Sequence, residues 1–265
     1  LTNSKYDSLS INSRSQLLPK FICIANALPS SKNLVRAGNE RVLKARLSDA
    51  EFFVKADLLI KSSERRAKLS KVGFADKLGS LLERVERIEI IADLVLDLLI
   101  GLNIDLKLLR KAAYFSKHDL VTNIVNEFPE LQGIMGGKYL LQEGESRDVA
   151  LAVSEHYLPR FAGDSLPSSD MGSIISLSDK IDILTSIYAK GERPSGSSDP
   201  YALRRAANGI VQIILSRKWK LNLLSLIKHV LEKLNDSFPK LDLNLISIEN
   251  DLYDFFRQRI INLLE

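Results

Sequence analysis

Apolar residues at helical spacing dominate this chain. In residues 81–99 they are separated by alternating steps of four and three residues, which places them on one face of a helix. Glycine and proline interrupt the pattern at intervals and predict where helices end. The spacing predicts a mainly α fold, with helices over residues 81–99, 106–127, 146–157, 171–188 and 202–217 and two amphipathic segments after residue 220.

The beginning of the chain lacks this helical pattern. Residues 1–35 are expected to be irregular or to contain β structure, and the short apolar run 21–25, followed by Pro29, predicts a buried strand. Gly133, Gly136 and Gly137 predict a loop. We therefore expect a mainly helical protein with a small β-containing N-terminal piece and C-terminal helices.

Several classes of protein are disfavoured by composition. No apolar run approaches the roughly 20 residues that cross a bilayer, so we expect no membrane association. The lone Cys23 excludes an internal disulfide and a cysteine-rich zinc site, and favours the reducing cytoplasm. The sequence begins with Leu1, without a secretory leader, and we expect it to be a piece of a longer protein.

Positive charge is concentrated in one part of the chain. The formal net charge is +4, and residues 36–87 alone contain 13 Lys or Arg against 8 Asp or Glu. Such a concentration predicts an anionic partner. The alternative is a solvated helix face with scattered ion pairs.

Common catalytic motifs do not fit the sequence. The segment 133–138 resembles a phosphate-binding loop, but Gln132 and Tyr139 occupy positions where that motif needs Gly and Ser or Thr. We find no nucleophile elbow and no zinc-protease helix signature. No catalytic residue is predicted.

One pair of residues suggests metal chemistry. Adjacent His118 and Asp119 resemble the motif of HD phosphohydrolases, in which a bound metal activates water, and His156 and Asp179 could supply further ligands. The preceding helix, 81–99, contains no histidine for the upstream ligand. Three interpretations stay open: a metal phosphohydrolase, a non-catalytic polar cluster, and helix-surface or capping residues.

Seven segments, in order, resemble one family, the beta subunit of the heterotetrameric bacterial glycyl-tRNA synthetase. The resemblance covers about residues 20–215, and the C-terminal helices more loosely. The segments are VRAGNERVL (35–43), ARLSDAEFF (45–53), KLGS (77–80), EFPELQG (127–133), EHYLP (155–159), AGDSLP (162–167) and SDPYALRRAA (198–207).

This resemblance implies a role within a larger enzyme. The family joins glycine to its tRNA, and the alpha subunit forms the adenylate with ATP and magnesium. The beta subunit binds glycine tRNA, docks the alpha chains and pairs with a second beta subunit in the heterotetramer. The expected domains are residues 1–75 as the end of an N-terminal α+β body, 76–217 as an HD-like helical domain, and 218–265 as a C-terminal helical linker or start of the next domain.

The sequence departs from the family at the HD pair. The usual text there resembles Lys-Ala-Asp, whereas this chain has Lys117-His118-Asp119. Because the upstream histidine is missing, we interpret the pair as drift or reversion without activity. We expect a degenerate cluster of His118, Asp119, His156 and Asp179 with no metal and no cofactor in this chain.

Binding to tRNA requires Lys and Arg on a rigid surface that fits the phosphate backbone. Arg204 or Arg205 could instead pair with Asp199, and Trp219 could stack a base or pack an adjacent helix. The leading interpretation is a non-catalytic tRNA- and partner-binding segment; the alternatives are an HD-type metal-dependent phosphohydrolase and a purely structural helical scaffold. The candidate nucleic-acid-binding residues are Arg41, Arg46, Arg65, Arg66, Arg204, Arg205, Lys218 and Lys220.

Overall fold

The protein forms a helical array. The computed structural model describes residues 20–26, 28–237 and 243–264, and within these ranges the chain folds into eleven α-helices joined by loops and short 3-10 turns. The helices are α1 Lys32–Asp57, α2 Ser62–Lys68, α3 Leu81–Leu98, α4 Leu106–Tyr114, α5 Asn123–Glu127, α6 Ile134–Gln142, α7 Arg147–Glu155, α8 Asp170–Ala189, α9 Leu203–Arg217, α10 Leu223–Ser237 and α11 Leu245–Leu264.

Serine side chains begin the helices that form the centre of the fold. Ser80 accepts a hydrogen bond from the Glu83 backbone N–H while the Glu83 carboxylate binds the Ser80 N–H, which is a capping box at the start of α3. At the starts of α7 and α8, the side chains of Ser146 and Ser169 accept hydrogen bonds from the backbone N–H groups of Val149 and Gly172. The predicted helices α3, α7, α8 and α9 are confirmed, with ends within three residues of the expected positions.

Helix α8 lies at the centre of the main core. Nearly all of its side chains are buried, and α3, α7, α9, α10 and α11 pack around it. Because it is surrounded, it has no polar face, and several of its small polar residues bond within the helix. Ser178 donates to the Ile174 carbonyl and Thr185 to the Ile181 carbonyl, so that their hydroxyls can be buried without a large cost.

A second, smaller core joins the end of α1 to α5 and α6. Asp57, at the end of α1, accepts hydrogen bonds from the backbone N–H groups of Asn123 and Ile124 and from the Tyr139 hydroxyl. The carboxylate therefore satisfies the free N–H groups at the start of α5 across more than sixty residues of sequence. Phe53 and Val54 pack beside it.

The predicted N-terminal strand is wrong. Residues 21–25 form no strand and are exposed, with Ile24 98% accessible. The only β pairing among the described residues consists of two isolated bridges, Gly73 with Ser80 and Ser195 with Ser198, so the 21–25 run has no partner strand there. Of the rest of the expected irregular or β-containing piece, residues 29–35 are helical instead, as the 3-10 turn Pro29–Ser31 and the start of α1, while residues 1–19 and 27 lie outside the described residues.

The predicted helix over residues 106–127 is also wrong. Helix α4 ends at Tyr114, Lys117 adopts a left-handed conformation (φ 61°), and His118–Val121 form a 3-10 turn before α5. The break has a local cause, since the Thr122 hydroxyl accepts from the Val125 N–H and starts a new helix.

The predicted glycine loop is largely helical. Gly133 precedes α6, and Gly136 and Gly137 lie within it. A Cβ at Gly136 would lie 3.2 Å from the Asp119 carboxyl and from Val153, so this glycine permits close packing rather than a loop. Among the described helices, none is long and apolar enough to cross a membrane.

We expect Gly133→Ala to destabilise the protein more than Gly144→Ala. Both glycines have positive φ (81° and 89°), which costs an alanine about 1–2 kcal/mol. A Cβ at Gly133 would also lie 2.9 Å from the Ser154 carbonyl oxygen, whereas nothing lies within 4 Å at Gly144. Urea unfolding should show an additional loss of about 1–3 kcal/mol for Gly133→Ala; equal losses would contradict this close approach.

Candidate functional site

Buried ion pairs join α3 to α8. The Arg84 guanidinium lies 2.9 Å from Asp179 Oδ1 and 3.2 Å from Asp182 Oδ2, and Arg87 Nε lies 2.7 Å from Asp182 Oδ1. Phe74 covers the Arg84 guanidinium at 4.3 Å. All four charged side chains are at most about one-tenth exposed, so each charge depends on its partner rather than on water.

Lys117 adds a further buried cation to this network. Its Nζ lies 2.9 Å from Asp179 Oδ1, 3.5 Å from His156 Nε2 and 4.3 Å from the centre of the Tyr157 ring. Burial alone would raise the pKa of Asp179, but Lys117 and Arg84 outweigh it and hold that pKa well below its usual range. Asp179 is therefore an ionised carboxylate held between two cations.

His156 is a neutral member of the same cluster. Its Nδ1 faces the Val153 carbonyl and must carry the proton, so Nε2 is the acceptor that faces Lys117. Burial, reinforced by the positive charge of Lys117, lowers the pKa of His156 to about 3. The ring cannot take up a proton near neutral pH.

His118 and Asp119 belong to a different contact. His118 Nε2 lies 3.2 Å from the Gly136 carbonyl, and Asp119 Oδ2 accepts from the backbone N–H groups of Gly133 (2.6 Å) and Gly136 (3.3 Å). Asp119 thus caps α6, while burial raises its pKa. Both residues are fully buried on a 3-10 turn, so they are not helix-surface residues, whereas the role of Asp119 agrees with the capping alternative.

The four residues of the expected HD cluster therefore do not converge. His156 and Asp179 meet on either side of the Lys117 ammonium, while His118 and Asp119 face the start of α6. Within the described part of the chain, no group of three or more His, Cys, Asp or Glu residues is placed to hold a metal ion. A divalent cation does not fit the cluster, because the Lys117 ammonium already lies against the available carboxylate and imidazole.

A cavity of about 270 Å³ opens beside this cluster. Lys180 lines it and donates from Nζ to the Leu158 carbonyl and the Ser176 hydroxyl, each at 2.8 Å. Burial lowers the pKa of Lys180 to about 8. A Cβ at Gly209 would lie 2.9 Å from Lys180 Cε, so the absence of a side chain there leaves room for the lysine. Other charged or aromatic residues around the cavity are Arg84, Tyr157, Arg160, Asp179, Tyr201, Arg205 and Glu130.

Two of the candidate nucleic-acid-binding residues, Arg65 and Arg66, point into the protein. Arg65 is buried; it donates to the carbonyls of Asp57 and Ile60 and stacks on Tyr139 at 4.2 Å. Arg66 is mostly buried and binds Glu89. These guanidiniums satisfy internal oxygens, so Arg65 presents no charge to a partner and Arg66 presents little.

The other candidates lie at the surface to different degrees. Arg41 and Arg46 are exposed on α1, and Arg46 pairs with Glu127. Arg205 is exposed at the cavity, and Lys218 and Lys220 are exposed after α9.

Asp199 has a different role from the one expected. Its carboxylate accepts from the backbone N–H groups of Leu203 and Arg204, so it caps α9 in place of the predicted pairing with an arginine side chain. Arg204 is half-buried. Trp219 is half-buried against the main core, which favours its structural interpretation.

Sequence reasoning missed Arg84, Lys117 and Lys180. A signal for part of this network was present: Arg84 and Arg87 are three residues apart on the apolar face of α3, and Asp179 and Asp182 are three apart in the apolar α8. Charges at matching helical spacing on two buried faces indicate a pair of facing helices.

Acid should destabilise the protein through its buried histidines. Burial lowers the pKa of both His118 and His156 from 6.5 to about 3, so below pH 6.5 the unfolded chain binds protons that the folded chain does not. Stability is then lost as pH falls from 6.5 towards 3, by up to about 1.4 kcal/mol per pH unit for each histidine.

Urea unfolding between pH 7 and 4.5 measures this effect. His156→Gln should reduce the slope, and the exposed His229→Gln serves as the matched control. Because the pKa of Asp119 is raised, this group makes the folded protein more stable as pH falls, opposite to the histidines. The quantity to compare is therefore the difference in pH slope between the native protein and the variant. Parallel curves for native protein and His156→Gln would contradict a neutral buried His156.

Comparison with known proteins agrees with the resemblance in the sequence. The family model described as glycyl-tRNA synthetase beta subunit matches residues 2–265. Proteins named glycine–tRNA ligase beta subunit include one from Geobacter metallireducens, 42% identical over 99% of this chain and 38% of the relative. Those from Trichodesmium erythraeum and Bacillus subtilis are 45% and 43% identical over 94% and 92% of this chain, each over 34% of the relative.

These matches have a consistent extent. The chain spans between about a third and two fifths of the length of the curated relatives it matches. The family match extends over almost every residue of this chain, including the cavity and the buried network. The chain belongs to the glycyl-tRNA synthetase beta-subunit family.

Proposed function

We propose that this chain is a non-catalytic part of a glycine–tRNA ligase beta subunit, which supports glycine tRNA binding and assembly with the alpha subunit and a second beta subunit. ATP and magnesium would be used by the alpha subunit, and the expected location is the cytoplasm. The observation that carries the proposal is helix α1, whose exposed surface combines large apolar residues with arginines.

Among the described residues, helix α1 packs against the second core mainly through its C-terminal end. Of its 26 residues only Asp57 is buried, and the side chains that enter the second core lie near it. Further towards its start, the exposed fractions are 78% for Leu34, 63% for Val42 and 61% for Leu47. Large apolar residues left in water along a helix are typical of a protein–protein interface.

Positive side chains accompany these apolar residues. Arg41 lies beside Val42 on α1, and Lys218 and Lys220 form a second exposed basic site after α9. Phosphate contacts need such exposed cations on rigid helices, and they supply affinity without reading sequence. These two exposed basic sites support tRNA binding through contacts to the phosphate backbone of the RNA.

The buried cluster favours a binding role over hydrolysis. The HD-type phosphohydrolase needs a metal held by His118 and Asp119, but both side chains bind the start of α6. Lys117 fills the space between His156 and Asp179. This supports a chain whose polar interior stabilises the fold while its surface binds partners.

We expect charge reversal at the exposed basic sites to weaken tRNA binding. Arg41→Glu with Lys44→Glu, and separately Lys218→Glu with Lys220→Glu, should each lower the affinity of the beta subunit for glycine tRNA by about tenfold or more at low salt. The dependence of affinity on salt should become shallower, because fewer counterions are released. Filter binding over a salt series measures both.

A matched control changes the same charge elsewhere. Lys228→Glu with Arg257→Glu reverses two exposed cations on α10 and α11 and should leave affinity nearly unchanged. Equal losses in all three double variants would indicate only a net-charge effect. Unchanged affinity in both test variants, with intact subunit assembly, would favour the purely structural scaffold.

A second test concerns the apolar surface of α1. Val42→Asp with Leu47→Asp should reduce association with the alpha subunit or the second beta subunit by about tenfold or more, since each charge would be buried at an interface. The melting temperature of the isolated chain should not fall, because both positions are exposed. Sedimentation velocity of the mixed subunits measures assembly.

Leu215→Asp is the control for this experiment, since Leu215 is similarly exposed (59%) on α9. The interface assignment fails if the α1 variant and the Leu215 variant assemble as fully as the native chain.

A further inference from the structure

The buried network beside the cavity has an excess of positive charge. Among its buried ionisable side chains, cations outnumber carboxylates by two, and His156 is neutral. The cations are Arg84, Arg87, Lys117 and Lys180, and the carboxylates are Asp179 and Asp182. Buried charge without a paired counter-ion is costly, so an anion from outside would stabilise this interior.

Lys180 is the cation with the poorest compensation. Its two hydrogen bonds are to uncharged oxygens, the Leu158 carbonyl and the Ser176 hydroxyl, and neither neutralises the ammonium. Asp179 is adjacent in sequence, but its Oδ1 is already bound at 2.9 Å by both Lys117 and Arg84. Lys180 therefore lines the cavity without a carboxylate in direct contact with its ammonium, and Asp179 acts on that charge only at longer range.

The opening of the cavity is also basic. Exposed Arg205 lies at its edge, in the first turn of α9, and Arg160 lies there already paired with Asp164. Glu130 is the acidic residue at the opening and Asp179 is the one inside it. When Lys117, which lies behind Asp179, is counted with the charged side chains that line the cavity, cations outnumber carboxylates.

We propose that this cavity binds a phosphate group, whose oxygens contact Lys180, Arg84 and Arg205. A phosphate monoester carries nearly two negative charges near neutral pH and offers several acceptor oxygens, which match the excess cations and the N–H donors of the lysine and arginines that line the cavity. The positive charges that would bind the phosphate belong to lysine and arginine side chains, and Lys117 holds Asp179 in position behind them.

The size of the cavity restricts the ligand. Its volume of about 270 Å³ is just below the range of ordinary small-molecule pockets, roughly 300–1,000 Å³. A phosphate with an attached sugar fits this space better than a complete dinucleotide. The phosphate could be free in solution or could be the terminal phosphate of an RNA, and both present the same chemistry.

This inference goes beyond the proposed function, because a phosphate can bind the cavity whether or not the exposed sites on α1 and after α9 bind tRNA. The first experiment is a titration of the 265-residue chain with inorganic phosphate at constant ionic strength, set with chloride. Calorimetry should detect saturable binding, and the melting temperature should rise with phosphate and not with added chloride.

Two variants test the assigned contacts. Lys180→Met should weaken phosphate binding by about tenfold or more, because a charge-assisted contact is lost. Its melting temperature without phosphate should be equal to or above that of the native chain, since methionine removes a buried charge. Arg205→Met changes an exposed residue, cannot unfold the core and should also weaken binding. Lys228→Met, at an exposed position of α10, is the matched control and should bind phosphate normally.

A comparison of RNA ends separates the two sources. A short RNA with a 5′-phosphate should bind more tightly than the same RNA with a 5′-hydroxyl, and inorganic phosphate should remove the difference, if the natural ligand is an RNA end. Equal binding of the two RNAs, with phosphate binding intact, assigns the site to free phosphate or a small phosphate ester.

The proposal is overturned if phosphate stabilises the native chain no more than chloride does, or if Lys180→Met and Arg205→Met bind phosphate as the native chain does. Loss of tRNA binding in the charge-reversed surface variants is a separate result. Phosphate binding that persists when the native chain fails to bind tRNA would contradict the proposed function and leave the phosphate site standing.

Discussion

The contact between α3 and α8 determines the arrangement of the rest of the fold. Arg84 and Arg87 face Asp179 and Asp182 in the interior, and the spacing of three residues on both helices allows one register in which all four charges are paired. Removing one partner from such a buried pair costs about 3–5 kcal/mol, because the other charge is left in the core. The register in turn positions Lys180 on α8 at the cavity and directs Asp179 towards Lys117.

The fold was predictable where apolar periodicity and caps agree. Helix α3 combines a regular apolar face with the Ser80 capping box, and its predicted limits were nearly right. The prediction of one helix over residues 106–127 failed because the Thr122 hydroxyl starts a new helix locally and because further caps come from elsewhere in the chain. The Asp57 carboxylate caps α5 and the Asp119 carboxylate caps α6, and neither contact can be inferred from local spacing.

The candidate site was predictable in its composition and not in its geometry. His156 and Asp179 do lie in one cluster, but they meet around Lys117, a residue that a search for metal ligands passes over. Counting charges between residues 36 and 87 overestimated the basic surface, since Arg65, Arg84 and Arg87 point inward. Net charge does not distinguish a solvated arginine from one that neutralises a buried aspartate.

Helix α1 has a thermodynamic consequence for assembly. It is attached to the body mainly through Asp57 and the apolar residues beside it, while most of its length contacts water. A long helix supported at one end gains little stability from tertiary packing along the remainder. Any partner that covers the exposed apolar residues of α1 must therefore also restrict the conformations of this helix. Part of the association free energy is offset by this loss of entropy, so rigidifying α1 in advance strengthens binding without adding a contact.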